Sequence, residues 1–340
     1  LIPFLLIPNA NAATQVDPAA TGMVISNGKI LVFGNHEKNG FVQIVGANPI
    51  ELTGPAESFL GAGTVDESGN FLIYGSGAVN NTVAQQITSA PLNPDNVQIA
   101  PETTFRSDAT QIWRWKISTA GEILESKSVE VGQVIWVKAA NNNLIGGSLA
   151  TNNGNAGFYL NWDGINNQIT KLGNKFTEVN AILNNNYLAG SSAETLSGKK
   201  LVGLRDGFVY KISKPLLVRS SNSGAVRRWL SGTSTLFLGG SVQVGKTTQA
   251  VITKFTNTFT PTWTTRYPAI GGAQVLEMNK NYVAAFPVKG NKISIYTFSS
   301  KGKLLAKNSI PGNSISSIGY SEETGLNILS GGSVFTIATR

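Results

Sequence analysis

The sequence predicts an all-β fold, and three observations carry that expectation. Charged residues make up only 14% of the 340 positions while Gly alone fills 37, a balance that suits short strands joined by tight turns better than solvent-exposed helices. The hydrophobic share of 41% is enough for a substantial core, and the length admits one large all-β domain or two smaller ones. The third observation is repetition: "NNNLIGGS" at 141–148 returns as "NNNYLAGSS" at 184–192 and, loosened, as "STLFLGGS" at 234–241.

The small residue that ends each apolar run marks a cycle through Gly34, Gly75, Gly147, Gly190, Gly240, Ala285 and Gly331, with gaps of 41, 72, 43, 50, 45 and 46 residues. A period in the forties is the size of a propeller blade, a four-stranded sheet that cannot bury its faces without neighbours. The expected architecture is therefore a seven-bladed β-propeller of four-stranded antiparallel blades, one domain over residues 13–340.

Within a unit the elements follow in order. A first strand such as "QVIWVKA" leads through an Asn-rich turn to the marked second strand "LIGGS"; a variable loop, a third strand "GFYLNW" and a fourth, "INNQITKL", complete it. Asn27-Gly28, Asp163-Gly164 and Asp206-Gly207 have the composition of hairpin turns, since both residue types tolerate positive φ. Small residues at the markers are expected to let crowded backbones pass near the axis. The last cycle ends at a third strand, "SVFTIATR", while "ATQVD" at 13–17 precedes the first full cycle, so an N-terminal strand is expected to close the ring and cover an open edge. The one overlong gap places an inserted loop at about 77–110, between second and third strands of the second unit; long loops are often functional.

The double Gly at 146–147, 239–240 and 331–332 resembles the second-strand ending of kelch units, and "VDESGNFLIYGSG" at 65–77 resembles the D-x-x-G-N units of secreted bacterial propeller repeats. The kelch Tyr/Trp pair is missing from most units, and the GH and WD signatures of WD40 blades are absent. The resemblance implies a fold and brings no active site with it.

The opening "LIPFLLIPNANA" is an uncharged apolar run ending in the A-x-A pattern of Ala10-Asn11-Ala12, which predicts a signal peptide remnant over 1–12, mature protein from Ala13 and a secreted, extracytoplasmic location. No later run approaches the ~20 apolar residues of a membrane span, so no transmembrane anchor is expected. The chain contains no Cys, which excludes disulfides, thiolate metal sites and a Cys nucleophile.

Few residues have the company that catalysis needs. The single His36 lacks partners for a relay or a metal cluster. Asp66, Asp163 and Asp206 sit where turns explain them, "DESGN" lacks the further carboxylates of a calcium loop, and "GGSVQVGKTT" at 239–248 has the wrong Gly spacing for a phosphate loop. The six tryptophans are scattered and suit packing between blades. No catalytic residue, cofactor or metal is therefore expected.

Charge is more informative. Residues 1–170 hold 7 Lys/Arg against 13 Asp/Glu, whereas residues 171–340 hold 20 against 6. If strands alternate in direction, second-to-third-strand loops and blade-to-blade connections emerge on one face. Lys199, Lys200, Lys246 and Lys289 fall in the first class, with Lys214, Arg219, Arg266 and Lys307 in or near the second. The binding residues expected from this arc are Lys199, Lys200, Lys246, Lys289, Arg219 and Arg266, and their field favours anionic partners in a salt-dependent way. The functional expectation is a secreted, non-catalytic binding or scaffold propeller, monomeric, engaging an anionic envelope polysaccharide or another protein rather than nucleic acid. The rival is a propeller-type glycan hydrolase or lyase.

Overall fold

Short runs of β-branched and aromatic residues, broken every few positions by turn residues, fold as antiparallel meanders. The computed structural model describes residues 13–78, 108–163, 168–184 and 186–337. β1 (Ala13–Gln15) stands apart in sequence from the blade it joins. The first blade is β2–β5 (Ala20–Ser26, Lys29–Asn35, Gly40–Ile44, Ile50–Glu51) and the second β6–β9 (Ser58–Val65, Phe71–Gly77, Gln111–Ile117, Ile123–Glu130). The third is β10–β13 (Ile135–Asn141, Leu144–Thr151, Gly154–Asn161, Thr170–Leu172) and the fourth β14–β17 (Thr177–Asn184, Tyr187–Ser192, Asp206–Lys211, Leu216–Ser220). β18–β21 (Ala225–Gly232, Phe237–Val244, Thr247–Phe255, Pro261–Pro268) form the fifth, and β22–β25 (Gln274–Met278, Asn281–Val288, Lys292–Phe298, Leu304–Pro311) the sixth. β26–β28 (Ser317–Ser321, Gly325–Ser330, Ser333–Ile337) make the seventh, with β1 paired antiparallel to β28 as its outer strand. The ring thus has seven four-stranded blades and is closed by its N-terminal strand, as the sequence predicts. Among the described residues no helix is long and apolar enough to cross a membrane.

The core is divided into seven clusters, one for each pair of neighbouring blades. Leu31, Phe33, Phe71 and Trp115 fill the first-to-second interface, Val209, Trp229 and Phe255 the fourth-to-fifth, and Phe237, Tyr282 and Phe286 the fifth-to-sixth. No blade buries its faces alone, so burial ties stability to the closed ring.

The repeated glycine has a specific cause. In the first five blades a β-bulge interrupts the innermost strand, skipping Thr21, Gly61, Lys138, Asn180 and Leu230 in turn. Directly opposite the residue before each bulge lies the marker glycine of the second strand, and there the bulge aims a carbonyl at it. A Cβ at Gly34, Gly75, Gly147, Gly190 or Gly240 would stand only 2.1, 2.5, 1.9, 1.9 and 1.9 Å from the carbonyl oxygens of Ala19, Phe59, Trp136, Glu178 and Arg228. The sixth blade has no bulge between β22 and β23 and carries Ala285 at the matching place, opposite Gln274. The crowding is therefore with the carbonyls of each blade's own first, innermost strand. Gly146 and Gly239, the first members of the double glycines, instead face Val179 and Val275 of the next blade.

Two expectations are corrected. Gly331 and Gly332 form the β27–β28 turn with φ of 52° and 73°, so the double glycine there is no second-strand ending. Asp206 and Gly207 begin β16 instead of forming a hairpin turn, for a reason given below. Asn27 and Gly28, with φ of 48° and 68°, do form the expected turn, and Asp66 accepts hydrogen bonds from the backbone of Ser68 and Asn70 as a turn residue does. The insertion leaves and re-enters between β7 and β8; its residues 79–107, the leader at 1–12 and Gly164 of the Asp163-Gly164 pair lie outside the described residues.

At the closing seam β1 has only three residues, all exposed. The next residues tie it down. Val16 N–H donates to Gly332 O at 2.9 Å, Asp17 N–H to Gln43 Oε1 at 2.8 Å, and His36 Nε2 pairs with Asp17 Oδ2 at 3.0 Å while its ring stacks on Phe41. The hydrogen bond to Asp17 raises the imidazole pKa against the opposing effect of burial, with Glu51, 3.6 Å from Nδ1, adding to it.

Two predictions follow from these contacts. Gly190→Ala should cost about 2–3 kcal/mol in chemical denaturation because its Cβ meets a fixed carbonyl, whereas Ala285→Gly should cost about 1 kcal/mol. Since the folded His36 holds its proton more tightly than the unfolded one, its contribution is fully present below the ordinary pKa of about 6.5 and is lost as pH rises through the raised value. The melting temperature should thus fall over that window in the native protein, and His36→Gln should flatten the fall.

Candidate functional site

Antiparallel alternation brings second-to-third-strand loops and blade-to-blade connections to one face. On blades four to six that face carries the β15–β16 loop over 193–205, the Gly245-Lys246 turn between β19 and β20, and the 289–291 turn between β23 and β24. Lys199, Lys200, Lys246 and Lys289 stand exposed at these tips. None of them has an ion-pair partner among the described residues.

Nearby carboxylates are already engaged. Glu194 accepts from the backbone N–H groups of Asn174 and Lys175. Glu178 pairs with Lys138 at 2.9 Å and lies 3.7 Å from Arg205. Burial pushes the Glu178 carboxyl up, but Lys138, Arg205 and Arg228 outweigh it and hold the group below the usual carboxylate range. It is an ionised partner for cations, unsuited to donate a proton near neutral pH.

Asp206 is fully buried and organises the loop. It accepts from Val202 N–H at 2.9 Å and Gly203 N–H at 2.8 Å, which is why it opens a strand instead of making a turn. Arg219, 5% exposed, pairs with it at 3.2 Å and donates to the carbonyls of Lys199 and Glu194. The expected placement of Arg219 in an exposed arc is therefore corrected: it is a buried strut that presents Lys199 and Lys200. Ser197 and Gly198, at φ of 46° and 71°, turn the tip of the loop. Arg266 is half-buried on β21, away from the tips.

An apolar component that the charge pattern did not disclose completes the face. Leu204 and Val202 of the loop are 65% and 56% exposed, with Val244 beside the Lys246 turn and Phe176 and Ile270 in the flanking connections also exposed. These segments adjoin. Arg205 donates to Phe176 O, Gly203 packs on the Ala225 and Asn222 carbonyls, and Ile270 N–H donates to Pro287 O just before Lys289. The result is a strip of large apolar side chains bordered by four lysines without ion-pair partners among the described residues.

The opposite face differs. There a cleft of about 760 Å³ is lined by Asp66, Glu67, Asn142, Asn143, Tyr159 and Asn161 among others, and the β24–β25 turn carries Lys301 and Lys303. Among the described residues no group of three or more His, Asp or Glu is placed to hold a metal ion.

No family model and no curated protein matches the chain. In structure it is similar to a chain of a mitotic checkpoint complex, with a TM-score of 0.58 at 13% identity over 100% of this chain and 98% of that one. It is also similar to the WD40 domain of Toxoplasma gondii coronin, with a TM-score of 0.53 at 7% identity over 96% of this chain and 84% of that one. A chain of Kuenenia stuttgartiensis hydrazine synthase gives 0.53 at 10% identity over 97% of each. These likenesses show the propeller fold, which serves both assemblies and enzymes, so function must be argued from side chains.

Removing one partner of a buried pair leaves an uncompensated charge, so Arg219→Met should cost about 3–5 kcal/mol in urea denaturation. Limited proteolysis should then cut within 193–205 faster than in the native protein.

Proposed function

We propose that the chain is a non-catalytic scaffold that binds an acidic segment of a partner protein on the loop face of blades four to six, and that it does so outside the cytoplasm. The observation that carries this is the coexistence of exposed Leu204, Val202, Val244, Phe176 and Ile270 with four lysines that have no counter-ion among the described residues. Exposed apolar side chains gathered on one face gain by leaving water. The lysines steer and orient an anionic ligand. A polysaccharide would use the charges but leave the apolar strip uncovered; an acidic peptide with apolar anchors uses both. The A-x-A leader supports the extracytoplasmic setting.

Peptide display against the purified chain tests this directly. Selected sequences should combine Asp or Glu with Leu, Ile or aromatic residues. Their affinity should fall at least about tenfold for Val202→Asp with Leu204→Asp, a loss of about 1.4 kcal/mol or more. Lys199→Glu with Lys200→Glu, Lys246→Glu and Lys289→Glu should abolish the dependence on salt, while Lys301→Glu with Lys303→Glu should change little. Selection of neutral sequences, or equal loss from the opposite-face variants, would refute the assignment.

A further inference from the structure

The cleft on the face opposite the lysine loops is built around one end of the third blade. The β10–β11 turn, the end of β12 and the approach to β13 form most of it, with the β6–β7 turn of the second blade on one side and Ile212 of the fourth on the other. Three hydrogen bonds fix its walls. Tyr74 Oη donates to Asn142 O at 3.1 Å, Asn142 N–H to Thr64 Oγ1 at 3.3 Å, and Trp162 N–H to Asn143 O at 2.7 Å. At about 760 Å³ its volume falls within the range of about 300–1,000 Å³ usual for ligand sites.

Free amides dominate the lining. Asn142, Asn143, Asn161 and Gln168 are exposed there, and among the described residues none of their side chains makes a hydrogen bond. Turn geometry accounts for Asn142, whose φ is 49°, but not for Asn161 or Gln168. Asn161 ends β12, a strand position that disfavours Asn, and lies opposite Leu144 beside the turn. Tyr159 pairs with Thr170, and that register continued by two residues sets Gln168 opposite Asn161. The rest of the wall is apolar. Leu72, Leu144 and Leu160 line it as buried side chains, and Tyr159 adds a half-buried ring packed 6.2 Å from that of Tyr210.

Charge narrows the class of ligand. Among the described residues no Lys, Arg or His lines the cleft, so an anion would find no counter-ion. Asp66 is engaged by Lys116 at 2.8 Å and by its own turn. That leaves Glu67 as the uncommitted carboxylate of the described lining, too little for a metal ion. A purely apolar ligand would cover the amides without pairing them, which is costly.

We infer that this cleft binds a neutral saccharide. A carboxamide offers one acceptor oxygen and two N–H donors, the complement of neighbouring hydroxyls that each donate and accept. The C–H faces of a pyranose ring meanwhile cover the leucines and the tyrosine ring. This site does not rest on peptide binding, since the cleft and the lysine loops lie on opposite faces.

An array of neutral and acidic oligosaccharides probed with the full chain, followed by calorimetry with the best neutral ligand, tests it. A neutral oligosaccharide should bind with a millimolar or tighter dissociation constant that salt does not change, and its sialylated or uronate-containing counterparts should bind more weakly. Asn143→Ala with Asn161→Ala should lower the affinity at least about tenfold. The melting temperature should stay where it is, because both side chains are exposed and unpartnered among the described residues. Gln168→Ala, on a separate segment, should act in the same direction. The variant carrying Lys199→Glu, Lys200→Glu, Lys246→Glu and Lys289→Glu should keep full saccharide binding, which separates this site from peptide docking. The inference is overturned if no neutral oligosaccharide saturates the chain, if acidic glycans bind tighter, or if added salt weakens binding. It is equally overturned if the Asn143, Asn161 double variant binds as the native chain does, or if a neutral acetylated tripeptide amide displaces the sugar at equal concentration.

Discussion

A carbonyl oxygen aimed at a place where only hydrogen fits is the contact on which the ring depends. In five blades the innermost strand bulges, and the glycine opposite accepts the displaced carbonyl at a distance no Cβ could share. A bulge also frees ladder groups to pair outward. The chain uses them to join blades. Asn35 of the first blade exchanges hydrogen bonds with Leu60 N and O of the second, and Asn180 of the fourth donates to Trp229 O of the fifth. One local exception to regular pairing thus produces both the crowding that demands glycine and the polar links that orient neighbouring blades.

That constraint also arranges the loop face of blades four to six. Innermost strands locked in register start at one level, so the loops that precede them share a rim. Asp206 and Arg219 then stiffen one of those loops from beneath. A buried ion pair is a weak source of net stability, because desolvation offsets much of its attraction; its value here lies in geometry. It fixes the backbone of Val202 and Gly203, and with it the exposure of the apolar residues beside them.

The ring itself was legible because it repeats. Seven cycles, the hairpin turn at Asn27-Gly28, the interruption after β7 and the missing outer strand of the last blade all follow from spacing and turn chemistry, which act locally. What was not legible depends on partners far apart in sequence. Asp206 followed by Gly207 is locally indistinguishable from a turn, and only the return of Arg219 beneath the loop turns it into a strut. Gly331-Gly332 copies the wording of Gly146-Gly147 but, without a bulge to crowd it, serves as a turn. The apolar strip escaped notice because Phe176, Val202, Leu204, Val244 and Ile270 belong to four separate segments that only the closed ring brings together.

Fold likeness cannot choose among functions, since similar rings occur in a checkpoint assembly, a WD40 domain and an enzyme. The composition of the face can. Lysines alone would be explained by solubility, which needs charge but no target. Exposed apolar residues alone would be explained by chance, since single ones are common on any surface. Their conjunction resists both accounts: a surface arranged for solubility gains nothing from a 65% exposed Leu204, and scattered apolar residues would not share one rim with the lysines of three loops. A ligand both anionic and apolar is the chemistry we propose in answer to both features, since among the described residues of this face the carboxylates Glu178, Glu194 and Asp206 are already engaged.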